Sequence, residues 1–149
     1  MERTDEDVDA YLAELGSKDV TTLDAHIADV FAGTERVLWK GVFWGGTEQS
    51  IIGYGDWTFR RPGKPDVRWF MVGLAQQKNN ISVYISAVED GQYAVKKYAY
   101  TFASGTGAKP KIGSSVVNFK RLSYVDLDAM LRVVRIGREQ LDADASHDG

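Results

Sequence analysis

The stretch 66–86 constrains the fold more than any other part of the sequence, because two β-rich runs there flank a polar connection at 76–80. In the second run, Ile81, Val83 and Ile85 alternate with serine and tyrosine. A period of two residues is typical of a strand that is buried on one face. The stretch therefore predicts an antiparallel hairpin at the centre of a sheet.

The first run of this hairpin is apolar at nearly every position. If it is a regular strand, its side chains point alternately to the two faces of the sheet. We expect Phe70, Val72 and Leu74 on one face and Trp69 and Met71 on the other. Both faces of this strand are therefore predicted to be covered.

Further strands are predicted at 37–44, 51–59 and 115–119, with a Gly-Gly turn at 45–46. The two glycines within 51–59 indicate a bulge or a close approach of another group to the backbone. Residues 92–102 fit either a short helix or a strand, and we favour the helix.

Helices are predicted at both ends of the chain from apolar residues at helical spacing. Thr4 with Asp7, and Ser123 with Asp126, are capping-box variants that place the starts of the first and last helices. A second N-terminal helix lies between residues 17 and 33. The element order predicts an α+β two-layer sandwich, in which N- and C-terminal helices cover one face of an antiparallel β-sheet.

Length and composition indicate one globular domain. A chain of 149 residues that is 44% hydrophobic can bury roughly 70% of its unfolded surface around one core. No apolar run approaches the ~18 residues of a membrane helix, and the acidic N-terminus lacks the apolar segment of a signal peptide. The absence of cysteine excludes disulfides and cysteine-ligated metals. We expect a cytoplasmic protein without a membrane partner, with one domain over 1–141 and a disordered acidic tail over 142–149.

Charge is distributed unevenly along the chain. Residues 1–35 carry two basic and ten acidic groups, whereas residues 36–141 carry sixteen basic and eight acidic groups. The two regions either complement each other within the fold or present an acidic and a basic face to external ions. A net charge of −3 and the lack of a recognisable nucleic-acid-binding motif argue against a nucleic-acid partner.

Three segments of the chain resemble the YdhG-like family, bacterial proteins of mostly unknown function. The segments are 7–12 (DVDAYL), 72–84 (VGLAQQKNNISVY) and 111–131, which opens with KIGSSVVNFKRL and ends with VDLDAML. The resemblance implies a frataxin-like sandwich. The family includes an iron-delivery protein, so the resemblance also implies weak iron binding and an iron-accepting protein as the partner.

Carboxylates near the N-terminus are the candidate iron ligands, because hard and borderline cations prefer carboxylate oxygens. With the apolar residues of the first predicted helix facing the core, a rotation of about 100° per residue places Glu2, Glu6 and Asp9 on one exposed flank. Acidic residues in a first helical turn also favour the helix macrodipole, which is the more general interpretation of the same pattern.

The tryptophans are the second candidate site. A set of large aromatic side chains can line a pocket for a small molecule, and it can equally fill a core. Four tryptophans in one small domain are rarely all exposed. The candidate ligand-binding residues are Trp39, Trp44, Trp57 and Trp69.

No residue pattern is typical of an enzyme. The two histidines, His26 and His147, are not at metal-ligand spacing, and His26 is expected at the boundary of an apolar helix face. No G-x-S-x-G motif is present, and residues 105–109 (GTGAK) lack the spacing of a phosphate loop. We therefore predict a non-enzymatic protein with no obligatory cofactor.

Overall fold

The central hairpin positions the rest of the fold. The computed structural model describes residues 1–43 and 47–148. Strands β4 and β5 pair in antiparallel register, with Val72 opposite Ile85 and Gln76 opposite Ile81. The predicted hairpin over 66–86 is therefore confirmed.

The described chain contains four α-helices and nine strands. The helices are α1 (Val8–Leu15), α2 (Lys18–Val30), α3 (Ala94–Lys97) and α4 (Leu127–Asp148). The strands are β1 (Glu2–Arg3), β2 (Arg36–Phe43), β3 (Thr47–Arg61), β4 (Lys64–Gln76), β5 (Ile81–Ile85), β6 (Val88–Glu89), β7 (Gln92–Tyr93), β8 (Lys111–Ile112) and β9 (Val116–Phe119). Two 3-10 turns span Ala99–Thr101 and Leu122–Tyr124.

Seven of these strands form one antiparallel sheet in the order β1-β2-β3-β4-β5-β9-β8. Strands β6 and β7 pair separately. A principal core joins buried residues of α1, α2 and α4 to buried residues of the sheet, including Leu12, Ile27, Met130, Ile52 and Val83. Each such side chain contributes roughly 1.5–3 kcal/mol when it is fully buried. The α+β class is confirmed.

The buried residues of a second, smaller cluster all come from strands of the sheet. It consists of Val37, Trp39, Ile51, Phe70 and Ala75. A Cβ atom on Gly53 would lie 2.6 Å from Trp39 Nε1, closer than side chains approach without displacement. The predicted close approach to the backbone is therefore found at Gly53, where the tryptophan ring lies directly on the strand.

The predicted faces of β4 are wrong at Phe70 and Met71. Phe70 belongs to the second cluster, while Met71 packs in the principal core with Val72. In the neighbouring strand β3, Gly55 has a φ of 75°. This left-handed conformation favours glycine. Gly55 lies between Tyr54 and Asp56, which pair with Val72 and Phe70, so it lies opposite the point at which β4 departs from regular alternation.

The capping boxes place two helix starts too early. The backbone N–H of Ala10 donates to Asp7 Oδ2 at 3.3 Å, so Asp7 rather than Thr4 caps α1. The backbone N–H of Ala129 donates to Asp126 Oδ1 at 3.0 Å, so the acid again is the cap. The Thr4 hydroxyl donates to the carbonyl of Leu38 at 2.7 Å, because this segment continues the edge of the sheet.

The structure also fixes the conformation of residues 92–102 and the end of the last helix. Residues 92–102 form β7, α3 and a 3-10 turn, so the favoured helical interpretation holds over their central part. Helix α4 continues to Asp148, past the predicted end at 141. Arg138 Nε donates to Asp142 at 3.1 Å, and no glycine or proline interrupts 142–148. None of the described helices is both long enough and apolar enough to cross a membrane.

Candidate functional site

The three predicted cation ligands occupy different elements. Glu2 lies in β1 opposite Lys40, Glu6 lies between β1 and α1, and Asp9 lies in the first turn of α1. All three side chains belong to exposed residues. The expectation that they share one flank of a helix is wrong, because residues 2–6 are not helical. The sheet pairing of β1 replaces the helix start that the sequence indicated.

Two of these carboxylates already have basic partners. Glu6 accepts a hydrogen bond from Lys40 Nζ at 2.9 Å, and this bond raises the pKa of Lys40. Asp9 pairs with Arg36. Among the residues that the structure describes, no group of three or more His, Asp or Glu side chains is placed to hold a metal ion. Part of the uneven charge along the sequence is therefore neutralised within the fold, because acidic residues of the N-terminal region form ion pairs with basic residues of β2.

Arg36 also reaches a buried carboxylate. Its Nη1 donates to Asp24 Oδ2 at 2.5 Å, and the Tyr54 hydroxyl donates to Asp24 Oδ1 at 2.7 Å. Asp24 is 7% exposed and Tyr54 is fully buried. Burial raises the pKa of Tyr54 well above its ordinary value. Burial lowers the pKa of Arg36, but the hydrogen bonds to Asp24 and Asp9 outweigh it and the pKa rises. These groups satisfy one another and tie α1, α2, β2 and β3 together.

The tryptophans do not form one site. The ring centroids of Trp39 and Trp69 are 5.3 Å apart, and Phe70 is stacked on Trp69 with centroids 4.5 Å apart. Trp57 instead packs against the principal core, and Trp44 lies outside the described residues. Trp39 is 4% exposed. The three rings of Trp39, Trp69 and Phe70 fill the space between them by mutual contact.

A polar groove opens beside these elements. It has a volume of about 500 Å³ and lies where α1, the β2–β3 hairpin and the β4–β5 connection come together. Groups that can bind a polar ligand line it, namely Tyr11, Lys40, Glu48, Gln49, Gln77 and Lys78. We call this the polar groove.

Hydrogen bonds fix the side of the polar groove that comes from the β4–β5 connection. Gln77 Nε2 donates to Gln49 Oε1 at 2.9 Å and to the Tyr84 hydroxyl at 3.3 Å. The backbone N–H of Gln77 donates to the carbonyl of Asn80 at 2.7 Å. Burial raises the pKa of Tyr84 and that of Tyr11. Both phenols are therefore protonated at neutral pH.

The two lysines of the polar groove differ in their surroundings. Lys40 is held by Glu6 at one rim, whereas Lys78 is exposed in the β4–β5 connection. Lysine is a compact charge on a flexible stem, so Lys78 can reach an anionic group without moving the backbone. The arrangement is able to hold a small polar ligand by hydrogen bonds and by the charge of Lys78, with the carboxylate of Glu48 as a further acceptor.

Comparisons of the chain with protein-family models, with curated proteins and with solved structures gave no match. The sequence did not predict the polar groove as a binding site. Its only visible sign was the β4–β5 connection, QQKNN, which interrupts the hairpin with polar residues. His26 is exposed on α2 and does not line the polar groove.

Proposed function

We propose that this chain is a small, non-enzymatic cytoplasmic binding protein of the YdhG-like family, with the two-layer frataxin-like architecture, and that a small polar ligand binds in the polar groove. The observation that carries the proposal is the groove itself. Its volume of about 500 Å³ falls within the roughly 300–1,000 Å³ of small-molecule sites, and part of its wall is held in place by the bonds of Gln77.

The lining indicates the class of ligand. Lys78 supplies a positive charge and Glu48 a negative one, while Lys40 is paired with Glu6. Carboxamides and protonated phenols add donors and acceptors at Gln49, Gln77 and Tyr11. A small carboxylate complements this set if the carboxylate binds at Lys78 and its hydroxyl or amide groups donate to Glu48 and the carboxamides. The aromatic face that the sequence offered as an alternative site is less suited, because the rings of Trp39 and Trp69 are in mutual contact.

Weak iron binding by Glu2, Glu6 and Asp9, with transfer to an iron-accepting protein, is the second proposal. The exposure of all three residues supports it. It requires Glu6 to leave Lys40 and Asp9 to leave Arg36. Metal binding by this route would therefore compete directly with two ion pairs.

One set of NMR titrations separates the two proposals. The ¹⁵N-labelled full chain is titrated with gluconate, citrate and N-acetylaspartate, and separately with ferrous ions under anaerobic conditions. We expect saturable shifts at residues 40, 49–50 and 76–78 with at least one carboxylate. Lys78→Gln removes those shifts, and the matched control Lys64→Gln, an exposed lysine at the start of β4, preserves them.

Each outcome has one meaning. If no carboxylate of the set shifts the polar groove, or if Lys78→Gln and Lys64→Gln behave alike, the groove proposal is wrong. Ferrous shifts that concentrate at residues 2–9 and disappear in Glu6→Gln with Asp9→Asn support the iron proposal. Ferrous shifts scattered over the acidic surface contradict it.

A further inference from the structure

A second concavity lies at a different place in the fold, between α4 and the segment that joins α3 to the following 3-10 turn. It has a volume of about 240 Å³ and shares no lining residue with the polar groove. We call it the α4 cleft. The residues that line it are Tyr98, Thr101, Ala129, Arg132, Val133 and Ile136.

One wall of the α4 cleft is apolar and comes from a single helix face. Ala129, Val133 and Ile136 follow one another at spacings of four and three residues, so they lie on the same side of α4. Ala129 is 4% exposed and Val133 is 2% exposed. Val133 belongs to the principal core and Ile136 packs against it, so this wall is held in place.

Hydrogen bonds hold the opposite wall. The Tyr98 hydroxyl donates to Glu89 Oε1 at 2.6 Å, and the Thr101 hydroxyl donates to the Tyr98 carbonyl at 2.7 Å. Lys97 Nζ also bonds to Glu89 at 2.6 Å and lies 5.3 Å from the centroid of the Tyr98 ring. The ring is thus fixed before any ligand arrives, which reduces the entropic cost of binding.

The charge at the rim is positive. Arg132 lines the α4 cleft and is exposed, and it forms no ion pair with the side chains that the structure describes, those of residues 1–42, 48–58 and 62–144. None of the six described lining residues carries a carboxylate, and the nearby Glu89 is paired with Lys97. A planar guanidinium can bind a carboxylate through two parallel hydrogen bonds.

We infer that the α4 cleft binds a small amphipathic carboxylate, with an aryl or branched alkyl group against Val133 and Ile136 and the carboxylate on Arg132. The apolar wall and the single unpaired cation are complementary to the two ends of such a molecule. This site does not depend on the polar groove, and a failure of either proposal leaves the other intact.

The test uses phenylacetate as the probe and phenylacetamide as its uncharged analogue, both added to the ¹⁵N-labelled full chain. We expect saturable shifts at residues 98–101 and 129–136. Phenylacetate should bind about tenfold more tightly than phenylacetamide, because an ionised acceptor makes the stronger hydrogen bonds to a guanidinium. Arg132→Gln should remove that preference, whereas Arg135→Gln, an exposed arginine of α4 outside the lining, should keep it.

Three results would overturn the inference. The first is binding of both probes with equal affinity, and the second is an unchanged preference in Arg132→Gln whose spectrum remains that of the folded protein. The third is binding of the peptide acetyl-Ala-Ala-Phe in the α4 cleft without binding of phenylacetate, which would assign the cleft to a peptide C-terminus.

Discussion

Strand β2 carries two basic residues, Arg36 and Lys40, which pair with N-terminal carboxylates in different surroundings. Arg36 bonds to Asp24, which is 7% exposed and also accepts from Tyr54. Lys40 bonds to Glu6 at the rim of the polar groove, where the two side chains are 39% and 49% exposed. An ion pair of β2 therefore holds the fold together where it is shielded from water, at Arg36, and can exchange its partner where water competes, at Lys40.

Removal of the buried carboxylate should have the largest effect. Asp24→Ala removes the acceptor of the Tyr54 hydroxyl and of Arg36 Nη1, and it leaves Arg36 paired only with the exposed Asp9. Breaking a buried pair by deleting one partner costs about 3–5 kcal/mol of the free energy of unfolding. Urea denaturation followed by tryptophan fluorescence measures this loss.

The matched control for that change is Asp24→Asn, which retains an oxygen that can accept from Tyr54. We expect it to lose less stability than Asp24→Ala. Equal losses in the two variants would mean that the charge on Asp24 matters and the hydrogen bond from Tyr54 does not. A loss below about 1 kcal/mol in Asp24→Ala, a value typical of exposed pairs, would remove the distinction between the two pairs of β2.

Removal of the buried hydroxyl should have a smaller effect. Tyr54→Phe keeps the ring in the core and leaves Asp24 bonded to Arg36, with one carboxylate oxygen deprived of its donor. Loss of one buried hydrogen-bond partner costs about 1–3 kcal/mol. A urea midpoint equal to that of the wild type would show that the hydroxyl is not part of the buried arrangement.

The same variant has a pH signature. Burial raises the pKa of Tyr54 well above its ordinary value of 10.0, so the folded protein keeps the phenol proton while the unfolded chain loses it above about pH 10. The stability contributed by Tyr54 is therefore present below pH 10 and is lost as the pH rises further, by about 1.4 kcal/mol per pH unit. The stability difference between wild type and Tyr54→Phe should shrink between pH 9 and pH 11. A constant difference would contradict the burial of this phenol.

Removal of the exposed pair between Lys40 and Glu6 should change the free energy of unfolding least, and its main effect should be on the pKa of Lys40. Glu6→Gln is expected to leave the urea midpoint unchanged, since exposed ion pairs contribute little. The hydrogen bond from Lys40 to Glu6 raises the pKa of Lys40, so the pKa of this lysine should fall towards its ordinary value in the variant. An NMR titration of the Lys40 side chain measures that shift, and Asp5→Asn, a change at an exposed acid of the same segment, serves as the control. A large loss of stability would show that this pair is structural after all.

The sequence predicted the elements whose signal is local. The alternation of Ile81, Val83 and Ile85 needs only neighbouring residues to be recognised, and these residues do line the principal core. The faces of β4 were predicted wrongly at Phe70, because the prediction assumed regular alternation and β4 departs from it opposite Gly55 of the neighbouring strand.

The helix starts show a related limit. In a pattern of Thr or Ser followed three residues later by Asp, both residues are able to cap a helix. The choice of Asp7 over Thr4 depends on the hydrogen bond of Thr4 to Leu38, which joins residues far apart in the sequence. The prediction that Glu2, Glu6 and Asp9 share one flank of a helix was wrong for the same reason, because Glu2 lies in strand β1.

The polar groove was beyond prediction for the same reason. Tyr11, Lys40, Gln49 and Gln77 come from four separate segments that only the strand order brings together. No spacing pattern connects them. The QQKNN connection was visible as a polar interruption of the hairpin, and its position beside β2 and β3 is a property of the sheet.

A single NMR titration tests the central claim that the Lys40 end of β2 faces a ligand while the Arg36 end is closed. The carboxylate that shifts the polar groove most is added to the labelled chain while signals of the Lys40 and Arg36 side chains are followed together. We predict that the Lys40 signals move saturably with the backbone signals of 76–78 and that those of Arg36 stay in place. Movement of Arg36 to the same extent, or a stationary Lys40 at saturation, would contradict the account.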